Sequence, residues 1–183
     1  IDRLQEIETV TDGNGVKTET VTNWVGGLAA TAIVLNQTQT TISADGNTIT
    51  IERDSTGGGW FDQSETRTTH LDDSLTIALV DLAPSGATVS SPTATVTSNG
   101  LTRTETIDAN GDSTTDLTVE HAITINVDNS RYETVDELNS NGTLRSKMTE
   151  TVSADGQTKT TTYDLDGDSD TDGTADSDSD TDP

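Results

Sequence analysis

Three stretches of the chain align with one another without gaps, and this internal repeat limits what the chain can fold into. They are TISADGNTITIERDSTGGGWFD (41–62), TVTSNGLTRTETIDANGDSTTD (95–116) and TVSADGQTKTTTYDLDGDSDTD (151–172). In each, a glycine is followed eight residues later by an aspartate, and eight residues after that by another. The copies are offset by 54 and 56 residues. This spacing predicts about three stacked units of roughly 55 residues each.

The repeat also predicts where the units begin and end. Because ETV at 19–21 matches ETV at 133–135, an imperfect copy precedes the first clear one. The predicted boundaries are residues 1–40 for an imperfect first repeat half, 41–94 and 95–150 for two units, 151–173 for a unit with a calcium loop, and 174–183 for an acidic linker.

Each copy has the sequence pattern of β-hairpins. About one residue in five is threonine, and TITI (48–51) alternates β-branched residues as a half-buried strand does. The pairs Asp45-Gly46, Asn99-Gly100, Asn141-Gly142 and Asp155-Gly156 are strong hairpin turns, since both residues tolerate positive φ. No helical period is evident. The sequence therefore predicts an all-β fold, an elongated array of antiparallel hairpin repeats with solenoid-like or sandwich-like stacking.

The chain has little apolar surface with which to stabilise such an array. Leu, Ile, Val and Phe total 35 of 183 residues, and the formal net charge is −24. So small an apolar content does not readily offset the conformational entropy lost on folding, which points to a bound cation as an added source of stability. The same charge argues against nucleic acid and anionic membranes as partners, and no apolar run is long enough to span a bilayer.

Aspartates are concentrated in the last copy with a spacing suited to a cation. Asp168, Asp170 and Asp172 precede Gly173 in a D-x-D-x-D-G pattern, which lets carboxylates converge on one hard cation. Further predicted ligands are Asp176 at the ninth position, Asp164 and Asp166 in an overlapping cluster, and Asp108, Asp112 and Asp116 in the second copy. Asp54 and Asp62 are the counterparts in the first copy. The alternative is that the terminal acidic run is only a solvated linker.

The last copy resembles a known class of sequence. Its pattern SADG-x-T-x-T-x-x-x-D-x-D-G-D is similar to the acidic repeats of large RTX-associated, type I-secreted bacterial surface proteins. The resemblance implies an extracellular stalk or adhesin segment made of calcium-stabilised β repeats. The RTX nonapeptide G-G-x-G-x-D-x-U-x is absent, so a parallel β-roll is not implied.

No constellation of catalytic residues is present, and the chain is predicted not to be an enzyme. The two histidines, His70 and His121, have no paired ligand or nucleophile near them in sequence, and no phosphate-binding or dinucleotide-binding loop occurs. Three functions stay open: a stalk or spacer, a subunit of an extracellular filament or surface layer, and a carbohydrate-binding accessory module. The expected partners are neighbouring repeats or copies of the chain, with surface glycans as an alternative.

Overall fold

The computed structural model describes residues 3–26 and 32–178. These residues form thirteen antiparallel strands in one open sheet, whose spatial order is the order of the sequence, and the described part contains no helix. The prediction of an all-β array of antiparallel hairpins is therefore confirmed. The strands are β1 (Arg3–Thr11), β2 (Lys17–Val25), β3 (Ile33–Ile42), β4 (Thr48–Asp54), β5 (Gln63–Thr69), β6 (Leu75–Leu82), β7 (Thr88–Val96), β8 (Thr102–Asp108), β9 (Leu117–Ile125), β10 (Arg131–Asn139), β11 (Leu144–Val152), β12 (Thr158–Asp164) and β13 (Gly173–Asp178).

The chain divides into two compact units. Unit 1 comprises residues 1–93 and 109–113, and unit 2 comprises residues 94–108 and 114–183. In unit 1, strands β1 to β6 pair in succession, and in unit 2, strands β8 to β13 do the same. Among the described residues, no helix is long and apolar enough to cross a membrane.

The predicted hairpin turns at Gly46, Gly100 and Gly156 are confirmed and share one geometry. Their φ angles are 75°, 70° and 72°, a region that glycine enters without steric cost. Each glycine N–H donates to the carbonyl three residues earlier, at 2.8–2.9 Å. A Ser or Thr hydroxyl at the start of each turn donates to the Asp or Asn side chain two residues on, at 2.6–2.8 Å. Repeated sequence thus gives repeated local structure.

In each unit the strands sort their side chains onto two different faces. One face combines aliphatic residues with ion pairs and is called here the ion-paired face. In unit 1 it carries Ile49, Ile51, Ile77, Leu79, Arg53, Glu65 and Arg67. The other, called here the threonine face, carries Thr18, Thr20, Thr22, Thr41, Thr50 and Thr66 in unit 1. The period of two in the sequence produces this sorting.

Neither unit has a conventional hydrophobic core among its described residues. Ala94 is the one buried apolar residue there, and no large side chain is fully buried. Glu65, by contrast, is only 9% exposed because Arg53 and Arg67 flank it. Cross-strand side-chain pairs, each worth about 0.2–1 kcal/mol, therefore contribute stability that a conventional core would otherwise supply.

The segment predicted to be an acidic linker from residue 174 starts inside a strand. β13 extends from Gly173 to Asp178 and pairs with β12, with Thr174 opposite Thr162. Backbone hydrogen bonding does not depend on side-chain charge, so an acidic Ser/Thr/Asp run can extend a sheet that offers a free edge. Residues 179–183 lie outside the described part of the structure.

Candidate metal centre

Long loops of the same length follow β4, β8 and β12. Each loop is bounded by two aspartates that are eight residues apart, and the first of them is the last residue of the strand. The N–H of the second aspartate donates to the carbonyl of the residue that precedes the first aspartate, at 2.8 Å in all three loops. The first and last aspartates are Asp54 and Asp62, Asp108 and Asp116, and Asp164 and Asp172. The aspartate spacing in the three aligned stretches therefore marks the two ends of a loop.

A glycine three residues into each loop fixes the path of the backbone. Gly57, Gly111 and Gly167 all have positive φ, between 70° and 77°. A Cβ added at any of them would overlap the carbonyl oxygen of a residue 23 positions earlier, namely Val34, Thr88 or Leu144. Each loop thus lies directly against the backbone of a preceding strand, and only glycine leaves room for that approach.

In the first loop, the opening aspartate binds the loop backbone. Asp54 is 3% exposed and accepts hydrogen bonds from the N–H groups of Thr56, Gly58 and Gly59 at 3.1, 3.1 and 2.7 Å. Burial alone would raise the pKa of Asp54, but the amide hydrogen bonds, led by those of Gly59 and Gly58, outweigh it and lower the pKa. Asp54 is therefore an ionised structural residue whose charge the loop amides compensate.

Acidification is expected to weaken unit 1 through Asp54. Because its folded pKa lies below its unfolded value, its stabilisation is complete above the unfolded pKa and is lost as the pH falls through the folded pKa. Urea unfolding followed by tryptophan fluorescence, at about pH 6 and about pH 3 with chelator present, measures this loss. Both tryptophans, Trp24 and Trp60, belong to unit 1.

The control for this measurement is Asp54→Asn, which removes the titrating group. Other carboxylates of unit 1 with lowered pKa values, such as Glu65 and Asp81, titrate alike in both proteins. The variant should therefore be less stable at neutral pH and should lose less stability on acidification. Equal losses in the two proteins would show that Asp54 contributes nothing to the pH dependence.

In the third loop, three carboxylates meet. Oxygen atoms of Asp164, Asp166 and Asp172 all lie within 4.8 Å of one another. Asp164 is 7% exposed and accepts hydrogen bonds from the N–H groups of Gly167 and Ser169 at 2.6 and 3.0 Å. Asp172 accepts one from the N–H of Leu165 at 2.6 Å. These three aspartates could hold a metal ion.

The donor set suits a hard cation. All three residues offer carboxylate oxygens, and each oxygen has lone pairs beyond the one that accepts an amide hydrogen bond. Oxygen-only sets of this kind are preferred by Ca²⁺ and Mg²⁺ over softer metals. Amide hydrogen bonds within the loop hold Asp164, Asp166 and Asp172 in place, so all three donors are oriented by the loop itself.

Several carboxylates repel one another in the middle of the third loop. The pKa of Asp170 is raised, first by the charge of Asp168 and its hydrogen bond to that residue, and then by Asp172 and Asp166. Mutual repulsion of this kind disfavours full ionisation until a counter-charge is present. A bound divalent cation would relieve it.

The structure places the predicted ligands in three different settings. Asp164, Asp166 and Asp172 come together, whereas Asp168 and Asp170 lie in the same loop outside that trio. Asp108, at 7% exposure, ends β8, and Asp112 and Asp116 lie in the loop that follows it. Asp176 is in β13, where its backbone pairs with Thr160 of β12, and its side chain lies outside the described part of the structure.

The D-x-D-x-D-G spacing thus points to the loop in which three carboxylates meet but does not identify which three. The positive φ angles of Gly167 and Ser169 reverse the chain, which brings the ends of the loop together. The structural role of Asp54 and Asp164 as acceptors of loop amides was also missed. The signal for it was present in the sequence, because an aspartate precedes a glycine by three residues in all three copies.

Aligned position by position, the loops form an internal series. At the position of Asp166 the first loop has Thr56 and the second has Asn110, and at the position of Asp170 they have Trp60 and Thr114. Asn110 accepts the N–H of Asp112 at 2.9 Å, as Asp166 accepts that of Asp168 at 3.2 Å. The frame therefore tolerates uncharged residues where the third loop has carboxylates.

Comparison with known proteins gives no family assignment. No protein-family model matches the chain, and no curated protein matches it.

Proposed function

We propose that the chain is a calcium-stabilised extracellular repeat module, a stalk or spacer within a large surface protein. The observation that carries the proposal is the trio of Asp164, Asp166 and Asp172, held in a loop whose frame recurs along the chain. Calcium is the favoured ion because it accepts flexible all-oxygen coordination, and millimolar extracellular calcium fills even weak sites.

The charge and the thin core give the ion a structural purpose. The chain carries a formal charge of −24, and its described residues bury almost no apolar side chain. A cation that binds the folded loop, and binds the unfolded chain weakly, adds its binding free energy to folding. The resemblance of the last copy to calcium-binding surface repeats agrees with this reading. A spacer also needs no catalytic cleft, only units joined in series.

The ligand assignment can be tested with two variants of equal charge. Asp166→Asn removes a member of the trio, whereas Asp168→Asn removes a carboxylate of the same loop that lies outside it. Calorimetric titration with calcium should show the affinity falling at least about tenfold for Asp166→Asn, because carboxylate number and placement set the affinity of such sites. Asp168→Asn should change it much less.

The two variants distinguish a specific calcium site from non-specific attraction of calcium by the negative charge of the loop. Asparagine keeps the oxygen that accepts the Asp168 N–H, as Asn110 does in the second loop, so the loop conformation should survive. Equal weakening by the two substitutions would mean that the loop attracts calcium by net charge alone. Absence of a titratable site in the parent chain would contradict the calcium proposal itself.

A filament or surface-layer subunit is the second candidate function. The first strand, β1, is at the edge of the sheet in unit 1. Its residues Leu4, Ile7 and Val10 are 48%, 60% and 53% exposed to solvent. Exposed edges of this kind can pair with other chains. Electron microscopy of the purified chain in millimolar calcium distinguishes the two, since a spacer stays single and a subunit forms ordered polymers.

A further inference from the structure

Three of the five Lys and Arg residues of unit 2 lie on one face of its sheet. Strand register places Arg103, Arg131 and Lys159 on the same face, together with His121. All four side chains contact carboxylates of that face. Arg103 pairs with Glu105 at 2.6 Å, Arg131 with Glu133 and, at 3.3 Å, with Glu150, and Lys159 with Glu150 at 2.7 Å. The His121 ring is hydrogen-bonded to Glu133 at 2.6 Å. This is the ion-paired face of unit 2.

This face is close to electrical neutrality although the chain as a whole is not. Across β8 to β12 it carries three Lys or Arg residues and four carboxylates, the fourth being Glu137. The chain has only nine Lys and Arg against 33 Asp and Glu. The side chains of Glu133 and Glu150 are 14% and 13% exposed, so their neighbours already shield them from water. Covering these carboxylates further costs less than burying a free charge.

Aliphatic side chains fill the spaces between the ion pairs. Val119, Ile123, Val135, Met148 and Val152 share the face and are all half-buried. A shallow groove of about 250 Å³ lies between Val119 and Val135, bordered by Arg103, Glu105, His121 and Glu133. An antiparallel sheet usually covers its aliphatic face with a second layer. In unit 2 the described residues supply only a single layer.

We propose that the ion-paired face of unit 2 packs against the same face of a second copy of this chain. Two copies that each carry −24 repel over most of their surfaces, and this face offers an approach with little net charge. Five strands spaced about 4.8 Å apart and about 25 Å long give a projected area of roughly 600 Å². Side chains corrugate that surface, so its accessible area comes near the roughly 800 Å² per partner of a standard interface.

The pairing goes beyond the proposed function and does not depend on it. The face is formed by β8 to β12, whereas the calcium trio lies in the loop after β12. Calcium lowers repulsion between the acidic loops, so it should strengthen the pairing without being a part of the interface. The pairing is tested in chelator with added salt, and calcium binding by the third loop is tested by calcium titration. A failure of one proposal can therefore be told apart from a failure of the other.

Single cysteines provide a direct test, since the natural chain has none. Val135→Cys places a thiol at the centre of the ion-paired face, and Thr134→Cys places one beside it on the threonine face. With a bismaleimide that spans about 10 Å, the packing distance of two sheets, Val135→Cys should give covalent dimers and Thr134→Cys should not. Sedimentation of the unlabelled chain should show a concentration-dependent dimer.

A second pair of variants tests the contribution of the face. Val119→Glu adds a charge to the ion-paired face, and Thr118→Glu adds the same charge to the threonine face of the same strand. The dimer dissociation constant should rise at least about tenfold for Val119→Glu, equivalent to about 1.4 kcal/mol, and change little for Thr118→Glu. Circular dichroism checks that both variants keep their strands.

Three outcomes would overturn the proposal. A chain that stays monomeric at high concentration and high salt leaves the face to some other occupant, such as another segment or a glycan. Crosslinking through Thr134→Cys would assign the contact to the threonine face. Equal weakening by Val119→Glu and Thr118→Glu would mean that added charge, not this face, controls association.

Discussion

Replacing Gly57 with alanine is expected to cost unit 1 several kcal/mol of stability, whereas the same change at Gly46 should cost only about 1 kcal/mol. Both glycines have positive φ, 70° and 75°, so both substitutions carry the conformational penalty of a left-handed backbone. Only at Gly57 does the new Cβ meet the carbonyl oxygen of Val34, and at Gly46 it meets nothing within 4 Å. Backbone atoms cannot move aside as a flexible side chain can.

Urea unfolding followed by tryptophan fluorescence measures both effects in one unit, because Trp24 and Trp60 report on unit 1 alone. Gly46→Ala is the matched control, since it alters the same residue type at a similar φ. Similar losses for the two variants would show that the loop does not lie against β3 in solution. Repeating the comparison at Gly111 and Gly100 extends the test to the second copy, with circular dichroism as the readout because Gly100 lies in unit 2.

If the third loop binds calcium as proposed, removal of the ion is expected to destabilise unit 2. If calcium at 100 times its dissociation constant occupies the third loop, it contributes about 2.7 kcal/mol, which excess chelator removes. The melting temperature should therefore fall by several degrees, as a thermal scan by circular dichroism will show. The effect should be confined to unit 2, where Tyr132 and Tyr163 are the local optical probes.

The decisive comparison uses a chain with Asp164, Asp166 and Asp172 intact but with Asp168 and Asp170 replaced by the residues of the first loop. The two substitutions are Asp168→Gly and Asp170→Trp, because Gly58 and Trp60 are at these positions in the first loop. This chain should keep most of its response to chelator, because the trio is retained. An identical melting curve for the parent with and without chelator would exclude calcium-linked stability.

Local features of the fold followed from the sequence, whereas the contacts between distant residues did not. The turns at Gly46, Gly100 and Gly156 were predictable because Asp-Gly and Asn-Gly pairs determine their own backbone geometry. The single layer was not, since alternation of polar and apolar residues shows that a strand has two faces but not what covers them. The charge sorting was visible in principle: Arg131, Glu133 and Val135 alternate with Tyr132, Thr134 and Asp136.

The trio of Asp164, Asp166 and Asp172 shows the same limit. The D-x-D-x-D-G spacing and the three aspartates that come together lie in the same loop. Which carboxylates meet depends on Ser169, a non-glycine residue at φ 77° that no simple sequence rule places in the left-handed region. The structural role of Asp54 and Asp164 could not be predicted for a related reason. An aspartate that accepts hydrogen bonds from backbone amides cannot be distinguished by sequence from one that binds a cation.

The strict succession of strands within each unit also determines how the chain can assemble. Within each unit, each described strand pairs with the strands next to it in sequence. Contact order is therefore low, and the longest closure that any pairing requires is a single hairpin loop. A chain that emerges residue by residue during synthesis can add each strand to the growing edge of the sheet as it appears, without waiting for distant segments. A hairpin that misfolds would prevent further strands from adding to that edge of the sheet, while the strands that have already folded would stay paired.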